Sequence, residues 1–130
     1  MNFALSIQGS PYDSACHWSA LRFAEAVLEA GHSIHRIFFY HDAVLIGSNL
    51  QAPPQDEVDL TRSWQALSSQ HHLDLCLCIA SCLRRGIINQ TEATRFEKPT
   101  ENLHIGFTIT GLGQLIEAAL VTERLVTFRG

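Results

Sequence analysis

Leu73-Asp74-Leu75-Cys76-Leu77-Cys78-Ile79-Ala80 is apolar at every position but one and runs directly into Ser81-Cys82-Leu83-Arg84-Arg85-Gly86. Successive side chains on a strand point to opposite faces, so a strand that is apolar throughout is buried on both. Leu73–Ala80 therefore predicts a buried strand, and Ser81–Gly86 the start of a helix. Phe3–Ile7 has the same character and ends at Gln8-Gly9-Ser10-Pro11, a loop. Ser33–Tyr40 is aromatic and β-branched, a further strand. Between them, His17–Ala30 places Leu21, Ala24, Val27 and Leu28 at helical spacing, with Gly31 as the C-cap. His41–Pro54 reads as a loop, long for a compact domain and so of functional interest. Asp56–Gln70 reads as a helix carrying Val58, Leu60, Trp64 and Leu67 on one side and acids in its first turn. Glu92–Phe96 suggests a short helix, and Ile105–Ile109, Gly113–Val121 and Leu125–Phe128 read as strand, helix and strand.

Strands apolar on both faces, alternating with helices, define an α/β class. The expected architecture is a central, mostly parallel sheet of about five strands covered by helices on both faces. Ligands and chemistry in such sheets gather beyond the carboxyl ends of the strands, near a topological switch point. The segments expected there are Gly9–His17, His41–Pro54, Cys78–Cys82 and Thr110–Gly113.

A chain of 130 residues suits one domain, residues 1–130, without a linker, internal repeat or low-complexity tract. Hydrophobic residues make up 46% and charged residues 17%, a globular balance. The net charge of −4 argues against a basic face for nucleic acid, which needs clustered Lys and Arg. Apolar runs such as Leu75–Ala80 fall far short of the roughly 20 residues of a membrane span. Met1-Asn2-Phe3-Ala4-Leu5 lacks the basic start of a signal peptide. Four cysteines without export imply a reducing, cytoplasmic setting and free thiols.

Cys76, Cys78 and Cys82 fall within seven residues, where the strand meets the helix. Cys76 lies deeper in the strand and is expected to pack. Cys78 is nearer the carboxyl end and the start of the next helix, whose unpaired N–H groups favour thiolate over thiol. Arg84 and Arg85 add positive charge close by. A thiolate so placed is a nucleophile suited to persulfide or disulfide chemistry. The competing explanation is that all three are small buried hydrophobes, a common fate of free cysteine. Cys82 is either a resolving partner for Cys78 or part of the inner helix face, the latter being favoured. Cys16, in the loop after the first strand, is either a neighbour of Cys78 at the same sheet edge or incidental.

His71 and His72 raise the question of zinc. Cys76 and Cys78 lie inside an apolar strand that cannot wrap a metal as a knuckle does, so no metal site is expected. No Cys-x-x-Cys redox pair, zinc-protease motif, nucleophile elbow or P-loop is present. His41-Asp42 stands at a strand end, placed either to orient or protonate a group or simply to be solvated. Thr110-Gly111-Leu112-Gly113 is a strand-to-helix turn too poor in glycine, and lacking the lysine, to make a phosphate site.

Several segments, taken together and in order, are familiar. Phe38-Phe39-Tyr40-His41-Asp42-Ala43-Val44, Leu75–Gly86, Gly106-Phe107 and Gly111-Leu112-Gly113-Gln114-Leu115, with Pro11-Tyr12 and Phe23-Ala24, resemble the DsrE/TusD family of sulfur-relay proteins over essentially the whole chain. The resemblance implies a flavodoxin-like three-layer sandwich and a sulfurtransferase subunit that carries sulfur as a cysteine persulfide. The family's sulfur-carrying cysteine stands two residues before Ala, ahead of Arg-Arg-Gly, which maps to Cys78. Cys76 and Cys82 inherit no role. The resemblance also implies that no metal or organic cofactor is needed. It implies a heterohexamer of two copies each of three related small subunits, an upstream sulfur-carrier protein and a downstream acceptor protein. Apolar residues between His41 and Pro54 are expected to help cover that interface. One branch of the family feeds 2-thiouridine synthesis at the transfer-RNA wobble position, the more widespread role and the one expected here. The alternatives are dissimilatory sulfur oxidation and a non-catalytic assembly subunit.

Overall fold

The computed structural model describes all residues, Met1–Gly130. Five strands, β1 (Asn2–Ile7), β2 (Ser33–Phe39), β3 (Leu75–Cys78), β4 (Phe107–Thr110) and β5 (Arg124–Phe128), form one sheet in the order β4-β3-β2-β1-β5. Every pairing in it is parallel. Five α-helices connect them: α1 (Cys16–Glu29), α2 (Leu60–His71), α3 (Ile79–Arg85), α4 (Gln90–Arg95) and α5 (Gly113–Val121). The α/β architecture expected from the apolar strands is the one observed, and the sheet is wholly rather than mostly parallel. No helix is long and apolar enough to cross a membrane.

Connectivity explains the layers. The chain steps β1→β2→β3→β4 in one direction, and right-handed crossovers put the intervening helices on one face. Only the last crossover runs back past β1, so α5 packs on the opposite face against β1, β2 and β5. Side-chain alternation sends Leu5, Ile7, Ile37, Phe39, Leu75 and Leu77 towards the many-helix face, where all are buried. Phe39 is the hub there: its ring stacks on His17 at 5.7 Å, meets Trp64 edge-on at 5.5 Å and contacts Phe107 at 5.9 Å. The opposite face carries Arg36, whose guanidinium bonds Asp74 at 2.8 Å and reaches Glu117 and the Gln114 carbonyl on α5.

Three boundaries move, each for a local reason. The first helical turn expected from Asp56 is replaced by an N-cap at Asp59, which accepts from the Arg62 N–H, so α2 starts at Leu60. The strand expected over Leu73–Ala80 is confined to Leu75–Cys78, because Ile79 and Ala80 already belong to α3. Ile105 lies outside β4 and is exposed, with Gly106 turning the chain at φ +97°.

The larger correction concerns His41–Pro54. Its first half, His41–Gly47, is a 3₁₀ helix that buries Ala43, Val44 and Ile46 completely in the core. The Thr61 hydroxyl on α2 donates to the Ile46 carbonyl at 2.7 Å and pins it there. These apolar residues therefore do not form an exposed cover for a partner; Leu50 alone in that segment is a largely exposed large apolar side chain.

Phe39→Ala leaves a cavity bounded by His17, Trp64 and Phe107. It should cost about 3–5 kcal/mol, read as a lower urea midpoint at unchanged slope.

Candidate functional site

The segments expected at the functional edge follow the carboxyl ends of β1, β2, β3 and β4 in turn. Cys78 is the last residue of β3 and the N-cap of α3, with extended backbone (φ −63°, ψ 124°) and no side-chain cap bond. It is only 2% exposed. The expected proximity to a helix start is observed, and so is the burial that the competing explanation expects.

Two contacts close over this corner. His41, just after β2, adopts a left-handed φ of 54°, and its N–H donates to the Ser81 hydroxyl on α3 at 3.0 Å. Next to it, Asp42 accepts from Arg85 Nε at 2.8 Å, while Arg85 Nη1 donates to the Ser81 carbonyl at 3.2 Å. His41 and Asp42 are both exposed, in keeping with the solvated reading, while the His41 N–H and the Asp42 carboxylate also bond to α3. The pair ties the 3₁₀ helix to α3. A polar cleft of 440 Å³ opens beside it, beyond the ends of β1, β2 and β5, lined by Ser10, Asp13, His41, Asp42 and Arg129 among others.

The remaining cysteines separate by environment, and all four are free and buried. Cys76 faces the α5 side of the sheet, where its thiol donates to Asp74 Oδ1 at 3.3 Å. Burial pushes its pKa up, partly offset by the Thr108 and Thr110 hydroxyls, so it stays a thiol. Cys82 is fully buried in α3, and burial, reinforced by the nearby Cys78, pushes its thiol up to about 12. It therefore belongs to the inner helix face and is not poised as a resolving nucleophile at neutral pH. Cys16 opens α1 and donates to the Phe128 carbonyl at 3.2 Å. With β2 between β1 and β3, its strand end and that of Cys78 lie about 10 Å apart, so the two are not neighbours. No group of three or more His, Cys, Asp or Glu side chains is arranged to hold a metal ion.

Two features escaped the sequence. The register pairs Cys78 with Thr110 on β4, and the Thr110 hydroxyl is buried without a hydrogen-bond partner. Strand register is a long-range property that no local motif announces. The other feature is His17, wholly buried against Phe39. Its Nε2–H donates to the Gly9 carbonyl at 2.9 Å, which fixes the tautomer and leaves Nδ1 unpaired. Only its neighbour Cys16 drew attention to this position.

Burial lowers the His17 pKa from 6.5 to about 4. The folded chain thus resists a proton that the unfolded chain accepts, so the contribution of His17 to stability is complete above pH 6.5 and is lost as pH falls towards 4. The loss approaches ~3 kcal/mol. Urea unfolding at pH 7 and pH 4.5 should show this slope in the native chain and a smaller one in His17→Gln.

The chain is similar to known proteins along its full length. Residues 1–128 match the profile of the DsrE/DsrF-like family. The candidate sulfurtransferase DsrE of Allochromatium vinosum is 47% identical over 128 residues, covering 98% of each chain. The sulfurtransferase TusD of Salmonella dublin is 46% identical over 128 residues, covering 98% of this chain and 100% of that one. Among solved structures, the ychN protein from E. coli superposes with a TM-score of 0.79 at 25% identity, covering 98% of this chain and 99% of that one.

Proposed function

The chain belongs to the DsrE/DsrF-like family, and from that premise we propose that it is a sulfurtransferase of a sulfur relay, accepting persulfide sulfur on Cys78. The observation that carries the site assignment is the position of Cys78. It ends a buried parallel strand at the edge where such sheets place their chemistry, and the family resemblance of the sequence implies the sulfur-carrying cysteine at the same position. Neighbouring Cys76 and Cys82 are both held as neutral thiols.

The exchange is the attack of the Cys78 thiolate on the outer sulfur of a donor persulfide. The donor S–S bond breaks, Cys78–S–SH forms, and the donor leaves as its thiolate. The reverse partition, with a downstream acceptor thiolate attacking the outer sulfur of Cys78–S–SH, regenerates Cys78. No electrons are gained or lost overall, and pKa, leaving group and access set the rates. Access is the step this fold controls: the Asp42–Arg85 ion pair and the His41–Ser81 bond must yield before a donor reaches the sulfur. Docking of partner proteins supplies that opening.

The relay runs towards 2-thiouridine at the transfer-RNA wobble position, with the chain handing sulfur to a protein and not gripping RNA itself, in keeping with its net charge of −4. A second reading, a relay in dissimilatory sulfur oxidation, is favoured by the 47% identity to DsrE of Allochromatium vinosum. Deleting the gene and quantifying 2-thiouridine in transfer RNA separates them: loss of the nucleoside supports the first, and an unchanged level overturns it.

The partners are two related small subunits in a heterohexamer, an upstream carrier and a downstream acceptor. A surface suited to the subunits exists on α5. Leu112, Ile116 and Leu120 recur every fourth residue along its outer side, 45%, 61% and 80% exposed, while Leu115 and Ala118 face the sheet. A stripe of this kind on a helix marks an interaction face.

Incubation with a cysteine desulfurase, cysteine and a sulfur-carrier protein, followed by intact mass and peptide mapping, should show one added sulfur on Cys78 and none in Cys78→Ser. Sulfur arriving on Cys16 or Cys82 overturns the assignment, and none arriving even with partner subunits present favours an assembly subunit. The double substitution Ile116→Asp/Leu120→Asp should leave the fold intact by circular dichroism but exclude the chain from co-expressed hexamer in size-exclusion light scattering.

A further inference from the structure

Strands β3 and β4 pair residue by residue, Cys76 with Thr108 and Cys78 with Thr110. Paired residues stand side by side on one face of the sheet, on strands about 4.8 Å apart. The lower pair shows what that proximity allows: Thr108 Oγ1 meets Cys76 Sγ at 3.7 Å. In the upper pair the Thr110 hydroxyl is buried and lies near enough to Cys76 to help offset the rise in that thiol's pKa, yet it completes no hydrogen bond of good geometry with any group. Native structures leave few buried polar groups unpaired, and those they do leave call for an explanation.

The explanation lies in the charge of the neighbour. A cysteine thiol is a weak acceptor, so it does little for a hydroxyl beside it, whereas a sulfur anion is a strong one. We propose that Thr110 is a further residue of the sulfur site, its hydroxyl donating a hydrogen bond to the Cys78 sulfur when that sulfur is a thiolate or a persulfide anion. This rests on the assignment of Cys78 as the sulfur carrier.

The other polar groups around Cys78 have partners of their own. The Ser81 hydroxyl accepts from the His41 N–H, which fixes its oxygen but leaves its own O–H available, and Arg85 is held by Asp42 and the Ser81 carbonyl. On the α5 side, Arg36 is paired with Asp74 and Glu117. Cys76 does not compete for Thr110 as a charged acceptor. Its thiol already donates to Asp74 and has Thr108 beside its sulfur. Thr110 thus stands beside Cys78 across the sheet with a buried O–H that completes no hydrogen bond while Cys78 is a thiol.

The test uses the full chain with carbon-13-labelled cysteine, following each Cβ resonance through a pH titration, with Cys78→Ser assigning the Cys78 signal. This reads ionisation without needing a reagent to reach the buried sulfur. Thr110→Val keeps the β-branched shape but lacks the donor, and Thr110→Ser keeps the donor. In Thr110→Val the Cys78 midpoint should rise by about one pH unit, and sulfur loading at neutral pH should slow about tenfold. Thr110→Ser should restore both. An unchanged Cys78 midpoint in a folded Thr110→Val chain overturns the proposal, as does a shift confined to Cys76, which would assign the hydroxyl to that thiol. If the native chain takes no sulfur on Cys78 but the midpoint still moves, the carrier assignment fails and the hydrogen bond stands. Sulfur loading that is normal in both variants, with no shift, sinks the Thr110 proposal alone.

Discussion

A parallel strand cannot be joined to its neighbour by a tight turn, so each of the first four strands must be followed by a crossover that returns the chain to the opposite end of the sheet. That constraint places the starts of α1, α3 and α5 and of the 3₁₀ helix at one edge, beyond the carboxyl ends of β1 to β4. It also requires strands that are apolar on both faces, because helices cover each side. The Cys78 corner is a by-product of this geometry: a strand end, a helix start and two loops from neighbouring strands cannot avoid meeting there. What the particular sequence adds is closure. Ser81 and Arg85 on α3 reach back some forty residues to His41 and Asp42 after β2, tying together the corner in which Cys78 is buried.

Much of this was legible because the strands are short and unambiguous. Leu75-Cys76-Leu77-Cys78 has no polar interruption, and Arg84-Arg85-Gly86 ends the helix that follows, so both the buried strand and the cysteine at its end could be located by residue type alone. The His41–Gly47 helix was not legible, and for a physical reason. A 3₁₀ turn lacks the 3.6-residue repeat, and Ala43-Val44-Leu45-Ile46 shows only a contiguous apolar run. Such a run fits an exposed cover and a buried plug equally well until the packing is known. Helix α5 posed the opposite difficulty. It was easy to place, but with apolar side chains on almost every side, its inward face is set by Ala118 and Leu115 only once β1, β2 and β5 are assembled beneath it. Register is harder still: nothing near Cys78 in the chain names Thr110 as its neighbour across the sheet.

The cysteines illustrate how one residue type divides its labour by burial. All four are enclosed, yet enclosure has different consequences for each. Cys16 bonds a carbonyl at the end of β5, Cys76 bonds a carboxylate, and Cys82 sits in an apolar helix face that holds its proton firmly. Protecting a persulfide from attack by a neighbouring thiolate requires that nearby thiols stay protonated. Under the proposed role of Cys78, the burial that makes Cys76 and Cys82 look redundant keeps them chemically quiet beside it.

The position of β1 carries a consequence for how the chain comes to be made. It lies between β2 and β5, pairing Phe3 with Arg124 and Ile7 with Phe128, so the earliest strand of this sheet in the chain gains its second neighbour from the latest. Throughout synthesis of the intervening hundred or so residues, β1 presents an open, apolar edge of unpaired N–H and C=O groups. Contacts of such long separation form late and slowly. A chain of this topology stays an incomplete sheet until β5 docks, with one edge of β1 open to pairing in the meantime.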